Sequence, residues 1–155
     1  MDKIKKFFSS SPTWVVFCAM IFPLIIGELI PFGTSLFFCI MFGWIFLLGI
    51  VLQNKVEAFL KKSTTLLKIC FSLSVIYIIF LETVWEFNPP SYFLVFHMVV
   101  MFCIVYQVYF VARSLVVAEA RQLLDFDRYI GTMLLIWFFP IGIWFVHPRI
   151  RNVLQ

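Results

Sequence analysis

Three ionisable side chains fall within or beside long apolar runs, where charge is costly. Glu28 and Glu82 each come near the end of an apolar segment, and His97 follows the start of the next one. If these segments cross a bilayer, all three lie near the same surface, with His97 about 7–8 Å below it by helix rise. Carboxylates beside an imidazole that titrates near neutral pH bind cations or pass protons. Glu28, Glu82 and His97 are therefore the candidate ion or proton site.

The same three residues also have a purely structural interpretation. A glutamate near the end of a span can extend to the lipid headgroups, and a single histidine can bond a backbone carbonyl. We do not expect a metal site, because one histidine with scattered carboxylates lacks the ligand spacing of metal-binding helices.

A second polar cluster follows the last apolar run and consists of His147, Arg149 and Arg151. Arginine binds phosphate through two parallel hydrogen bonds. The cluster is therefore a candidate contact for anionic headgroups or for a protein partner on the inner side of a membrane. Arginines that flank a membrane segment also set its orientation without binding a ligand, so both interpretations stay open.

The remaining reactive residues do not indicate catalysis. The four cysteines fall one to each predicted span, and no C-x-x-C pair occurs. No nucleophile stands beside a base and an orienting carboxylate, and no glycine-rich phosphate loop is present. We expect neither an enzyme nor a cofactor, and no stretch resembles a known family.

The composition places these residues in a bilayer. Hydrophobic residues make up 63% of the 155-residue chain and charged residues only 13%, against about 45–50% and about 25% in soluble domains. A soluble core of this size could not bury so much apolar surface. The sequence therefore predicts an all-α integral membrane protein with a single polytopic membrane domain over residues 1–155.

Apolar runs of suitable length predict four transmembrane helices. They cover residues about 13–30, 35–52, 66–85 and 92–112, and an amphipathic inner helix follows at 113–126. Runs of about 18–20 residues reach across the hydrocarbon core of a bilayer. The first run is interpreted as an uncleaved span rather than a signal peptide, because no small-residue cleavage site follows it.

The charge distribution predicts a cytoplasmic N terminus. With that orientation ten of the twelve basic residues lie in inner segments, and the two outer loops carry only Glu28, Glu82 and Glu86. Lysine and arginine collect on the cytoplasmic side of membrane proteins, so the net charge of +4 reports orientation rather than nucleic-acid binding. The expected location is the inner or plasma membrane of the cell.

The last apolar segment, residues 129–146, is interrupted by Pro140 and Gly142. The run before the proline has about 11 residues, a length more typical of a re-entrant segment than of a span. A fifth crossing would also place Arg149 and Arg151 outside, against the charge bias. We therefore expect the segment to turn back at Pro140 and Gly142, and a Pro-kinked fifth span is the alternative.

These observations favour a non-enzymatic multi-pass membrane protein that acts as a scaffold, sensor or regulatory subunit. We expect it to self-associate in the lipid bilayer and to dock a cytoplasmic protein through the inner helix at 113–126. The alternative is a small channel or carrier that moves a cation or proton through Glu28, Glu82 and His97. An intramembrane enzyme is the least favoured class, and no nucleic-acid partner is expected.

Overall fold

A computed structural model of the chain describes residues 2–26, 33–84 and 92–155. Within these ranges the chain is helical and contains no strand. The helices are α1 (Asp2–Ser10), α2 (Thr13–Ile26), α3 (Gly33–Gln53), α4 (Thr65–Val84), α5 (Tyr92–Ala120), α6 (Phe126–Trp137) and α7 (Phe139–Leu154), with a single 3₁₀ turn at Ala58–Leu60. The predicted outer turns, with Glu28 and Glu86, lie outside the described residues.

Among the described residues, two helices are long and apolar enough to cross a membrane, namely α3 and the part of α5 from Phe93 to Ala120. The bent pair α1 and α2 is a third candidate if it forms one span. In α4, which has 20 residues, the apolar stretch among the described side chains is Thr65–Leu81. The described structure therefore supports a helical membrane protein with two or three candidate spans, whereas the sequence predicts four crossings.

The chain begins with a short amphipathic helix that the sequence analysis did not predict. In α1, Phe8 is buried and Ile4 is half-buried, while Lys5 and Lys6 are exposed. The helix axis then turns by 111° into α2 at Pro12, which has no backbone N–H and suits the first turn of a new helix. A helix with one basic face and one apolar face that lies across the end of a span is typical of a membrane surface.

The core of the bundle lies where α3 meets α4 and α5. Leu48 and Leu52 of α3 and Val111 and Leu115 of α5 are fully or almost fully buried. Gly49 allows the close approach, because a Cβ at this position would lie 2.9 Å from the side chain of Leu67 on α4. A larger residue there would separate the three helices.

The inner part of α5 is packed into the protein rather than projecting into water. The predicted inner helix at 113–126 is the end of α5, and it stops at Ala120 because Arg121 adopts a left-handed backbone conformation with φ 54°. The four residues from Ser114 to Val117 are all buried. The segment that follows, residues 121–125, is not helical, and α6 begins at Phe126.

The last two helices form an antiparallel hairpin. The break lies at Phe138, which ends α6 and precedes α7. Pro140 is in the first turn of α7 rather than at the break, and Gly142 lies so close to α6 that a Cβ would be 1.5 Å from the carbonyl oxygen of Leu135. The predicted turn at Pro140 and Gly142 is thus displaced by two residues, since a proline in the first turn of a helix requires the break to come before it.

The hairpin turn packs halfway along the bundle. Trp137 and Phe139, on either side of the break, line a cavity of about 350 Å³ together with Ile45 of α3 and Ile104 of α5. The ring of Phe139 also contacts Trp44, with centroids 5.8 Å apart. From this level α7 continues to Leu154, well beyond the predicted end at residue 146, because Ile150 and Leu154 are buried in the same core.

One end of the bundle, which we call the basic end, contains Lys5, Lys55, Arg113 and Arg149. Arg113 donates a hydrogen bond to the carbonyl of Leu60 in the loop after α3, with an N–O distance of 3.2 Å. Lys5 of α1 lies beside Lys55 in that loop, and Arg149 of α7 pairs with the end of α5. The first helix and the last helix therefore meet at the same end of the protein.

Candidate functional site

The structure assigns a partner to only one residue of the predicted ion site. Glu28 lies outside the described residues, and Glu82 belongs to the backbone of α4 without a described side chain. His97 of α5 is half-buried, and its Nδ1 shares a hydrogen bond with the hydroxyl of Tyr77 on α4. Whether the two glutamates meet His97 stays a prediction.

The surroundings of His97 are aromatic rather than charged within the described part of the chain. The ring of Tyr77 stacks on Phe93 with centroids 5.9 Å apart and contacts Phe96 edge-on at 5.6 Å. A phenol hydroxyl both donates and accepts a hydrogen bond, so Tyr77 satisfies His97 without a charge. Tyr77 was not among the predicted site residues. Its signal is the i, i+3 spacing from Ser74, which puts both polar groups on the α5 side of α4.

Polar side chains join α5 to both of its neighbours in the core. Gln107 donates to the hydroxyl of Ser74 on α4 at 2.9 Å, and Gln53 of α3 donates to the hydroxyl of Ser114 at 2.8 Å. Hydrogen bonds of this kind contribute about 0.6–2 kcal/mol each between membrane helices. The side-chain oxygen of Gln107 is buried without a described partner. These contacts fix the helix packing and leave this one acceptor unsatisfied.

The predicted inner cluster is buried in part. His147 is fully buried, and its Nδ1 lies 3.2 Å from the hydroxyl of Thr13 at the start of α2, while its Nε2 has no described partner. Burial lowers the pKa of His147, and the positive charge of Arg151 lowers it further. His147 is therefore a buried side chain that joins α7 to α2, and the contact of the cluster with a headgroup or a partner stays a prediction.

Arg149 is also engaged within the protein. Its guanidinium forms two hydrogen bonds with the carboxylate of Glu119, at 2.8 and 2.6 Å, and a third with the hydroxyl of Thr132 at 3.0 Å. These contacts bind the end of α7 to the end of α5 and to α6. Arg151, like Arg149, is partly exposed.

A further surface of interest is formed by residues 121–128, which we call the 121–128 segment. Leu123 and Phe126 are 60% and 58% exposed there. The surrounding Arg121, Asp125, Asp127 and Arg128 are exposed and carry both signs of charge. Exposed apolar side chains rimmed by polar residues mark surfaces that contact a protein or a membrane.

The 121–128 segment has a fixed backbone. The hydroxyl of Tyr129, a buried residue of α6, accepts a hydrogen bond from the backbone N–H of Leu124 and donates one to the carbonyl of the same residue. Phe126 contacts the ring of Tyr109 with centroids 6.0 Å apart. A surface that is ordered before binding loses little conformational entropy when a partner binds.

Comparison of the chain with protein-family models, with curated proteins and with solved structures finds no match. Within the part of the chain that the structure describes, no three histidine, cysteine, aspartate or glutamate side chains are grouped in a way that could hold a metal ion.

Proposed function

We propose that the chain is a non-enzymatic multi-pass membrane subunit whose basic end faces the cytoplasm and docks a partner protein. The observation that carries the proposal is the 121–128 segment, in which Leu123 and Phe126 stand exposed on a backbone held by Tyr129. The positive-inside bias supports the cytoplasmic assignment. Self-association in the membrane belongs to the same proposal.

A protein partner suits this segment better than a lipid surface does. Asp125 and Asp127 are exposed beside the two apolar residues, and the anionic inner leaflet repels carboxylates. The loop after α3 has the opposite character, because Phe59 is 78% exposed and the exposed Lys61 and Lys62 follow it closely. That second loop fits an anionic membrane surface, whereas the 121–128 segment fits a partner that presents its own apolar side chain and charges of both signs.

The docking proposal is tested by site-specific photo-cross-linking in cells. A benzoylphenylalanine at position 123 or 126 is expected to give one discrete protein adduct. When the cross-linker is at position 126, a Leu123→Asp substitution is expected to lower the yield of this adduct. The same group at Phe102, which is exposed on the apolar face of α5, is the control for lipid contact. Adducts with lipid alone at positions 123 and 126 would contradict docking, and an adduct of twice the chain's mass would identify the partner as a second copy.

A proton or cation path along α4 and α5 is a second candidate function. It is favoured by the two polar contacts at this interface, Tyr77 with His97 and Ser74 with Gln107, and by the unsatisfied oxygen of Gln107. The test is proton or potassium flux in liposomes that contain the purified protein. A flux that falls at least tenfold in His97→Ala and Glu82→Gln would establish the path, and liposomes as tight as protein-free ones would exclude it.

A further inference from the structure

A groove of about 510 Å³ opens on the side of the bundle between α1, α2 and α3. Its walls are apolar and include Phe7 and Phe8 of α1, Met20 of α2, and Gly43 and Trp44 of α3. This volume falls in the range of roughly 300–1,000 Å³ that is usual for small-molecule sites. The groove is therefore large enough for a long apolar chain, and it differs from a flat lipid-facing surface because three helices enclose it.

The groove runs from α1 at the basic end to the level of Ile40 on α3. Its farthest lining residue on α3 is Ile40, and α3 ends at Gln53 beside α1. These two residues are separated by about 20 Å by helix rise, and one leaflet contributes about half of a hydrocarbon core that is roughly 30 Å thick. An acyl chain that starts at the basic end therefore reaches the end of the groove near the middle of the membrane.

The floor of the groove is empty where side chains would otherwise fill it. A Cβ added at Gly43 would meet no heavy atom within 4 Å, whereas a Cβ at Gly49, two turns further along α3, would lie 2.9 Å from Leu67. Gly43 therefore does not serve helix packing. Its effect is to leave space at the centre of the groove.

Two lysines, Lys5 and Lys55, lie together at the basic end, and Lys5 is next along α1 to Ile4, which lines the groove. Burial lowers the pKa of Lys55, and the charge of the neighbouring Lys5 on α1 lowers it further. Among the described residues neither lysine forms an ion pair with a carboxylate within 4 Å. Two ammonium groups held close together without a described counter-charge attract an anion, and phosphate esters are the abundant anions at a membrane surface.

We propose that the groove and the lysine pair form a binding site for one anionic phospholipid of the leaflet at the basic end. One acyl chain occupies the groove beside Gly43 and Trp44, and the phosphate lies between Lys5 and Lys55. Basic pockets between membrane helices on the cytoplasmic side bind anionic headgroups in this way. The site shares no residue with the 121–128 segment, so it does not depend on partner docking.

The proposal is tested by native mass spectrometry of the purified full-length protein in a non-ionic detergent. The protein is titrated with dioleoylphosphatidylglycerol or with dioleoylphosphatidylcholine, and bound lipids are counted. We expect one phosphatidylglycerol to bind about tenfold more tightly than phosphatidylcholine. Lys5→Gln combined with Lys55→Gln removes this preference, and Gly43→Leu weakens binding of both lipids because its side chain fills the groove.

Matched controls separate the site from general surface effects. Lys68→Gln with Arg128→Gln removes the same charge from exposed positions, and Gly131→Leu adds the same side chain where a Cβ meets no atom within 4 Å. Both controls are expected to bind lipid as the unmodified protein does. Equal affinity for the two lipids, or unchanged binding in the Lys5 and Lys55 variant, would overturn the proposal even if the Gly43 variant failed to fold.

Discussion

Gly142 lies against the backbone carbonyl of Leu135 at a distance that excludes any side chain. A Cβ would lie 1.5 Å from that oxygen, so Gly142→Ala must either separate α6 from α7 or distort the turn at Phe138. We expect the free energy of unfolding to fall by more than about 3 kcal/mol. This loss is at or above the largest destabilisation usual for overpacked sites. Thermal unfolding of the purified protein in detergent measures this change.

Gly131 on α6 is the matched control for Gly142. It is also inside a helix, but its Cβ would meet no heavy atom within 4 Å. Gly131→Ala should therefore leave the free energy of unfolding unchanged or raise it by about 0.5–1 kcal/mol through helix propensity. Equal effects at the two glycines would contradict the close packing of the C-terminal hairpin.

His147 makes the stability of the protein depend on pH. Burial lowers its folded-state pKa below the ordinary value of 6.5, so the unfolded chain takes up a proton at a higher pH than the folded protein does. Stability contributed by neutral His147 is complete above pH about 6.5 and is lost as the pH falls toward the folded-state pKa. The slope cannot exceed about 1.4 kcal/mol per pH unit for one group.

This pH dependence is measured as the difference in thermal stability between the unmodified protein and His147→Gln from pH 8 to pH 5. Glutamine keeps a polar group near Thr13 but does not titrate in this range. The unmodified protein should lose stability relative to the variant as the pH falls. Parallel curves for the two proteins would show that His147 does not titrate on unfolding.

Residue contacts that join distant parts of the chain could not be predicted from the sequence. Apolar context and spacing identified His97 as a candidate, but nothing in the sequence paired it with Tyr77, 20 positions earlier. Arg149 and Glu119 are 30 positions apart, so no helical periodicity relates them. The sequence therefore indicated which side chains are unusual, and the helix packing determined which partners they have.

At the scale of elements, the pair of Arg149 and Glu119 binds the C-terminal hairpin to α5. The two side chains are 33% and 30% exposed, so solvent screens the pair in part. A double-mutant cycle with Arg149→Gln and Glu119→Gln should give a coupling free energy of about 1 kcal/mol. A coupling within error of zero would show that apolar packing alone holds α7 in place.

The helix boundaries show which elements local sequence can predict. The apolar run after Gly33 predicted α3 closely, because few charges interrupt it. The sequence also contained the signal for the break at Phe138. Proline favours the first turn of a helix, so Pro140 indicates that α7 has already begun and that the break lies before it. The helix α1 was missed because nine residues with three lysines are too short and too polar to be recognised as a membrane element without α7 and α3 to pack on.

At the scale of the whole molecule, composition alone was sufficient to predict a helical membrane protein. The number of crossings could not be predicted as well, because α2 with 14 residues and α4 with 20 residues lie close to the shortest length, about 17 residues, that crosses a bilayer. The arrangement of the basic end depends on the return of α7 toward the first two helices. This return is stabilised by contacts such as that between His147 of α7 and Thr13 at the start of α2. Such contacts between chain ends have no signature in the sequence.

The most direct test of the account is the membrane side of the two chain ends and of the 121–128 segment. Single tags before Met1, within residues 121–125 and after Gln155 would each be probed in intact and in permeabilised cells. We expect all three tags to be protected in intact cells and to become accessible together after permeabilisation. A tag after Gln155 that is accessible in intact cells, while the other two are protected, would show a fifth crossing and contradict both the hairpin and the shared basic end.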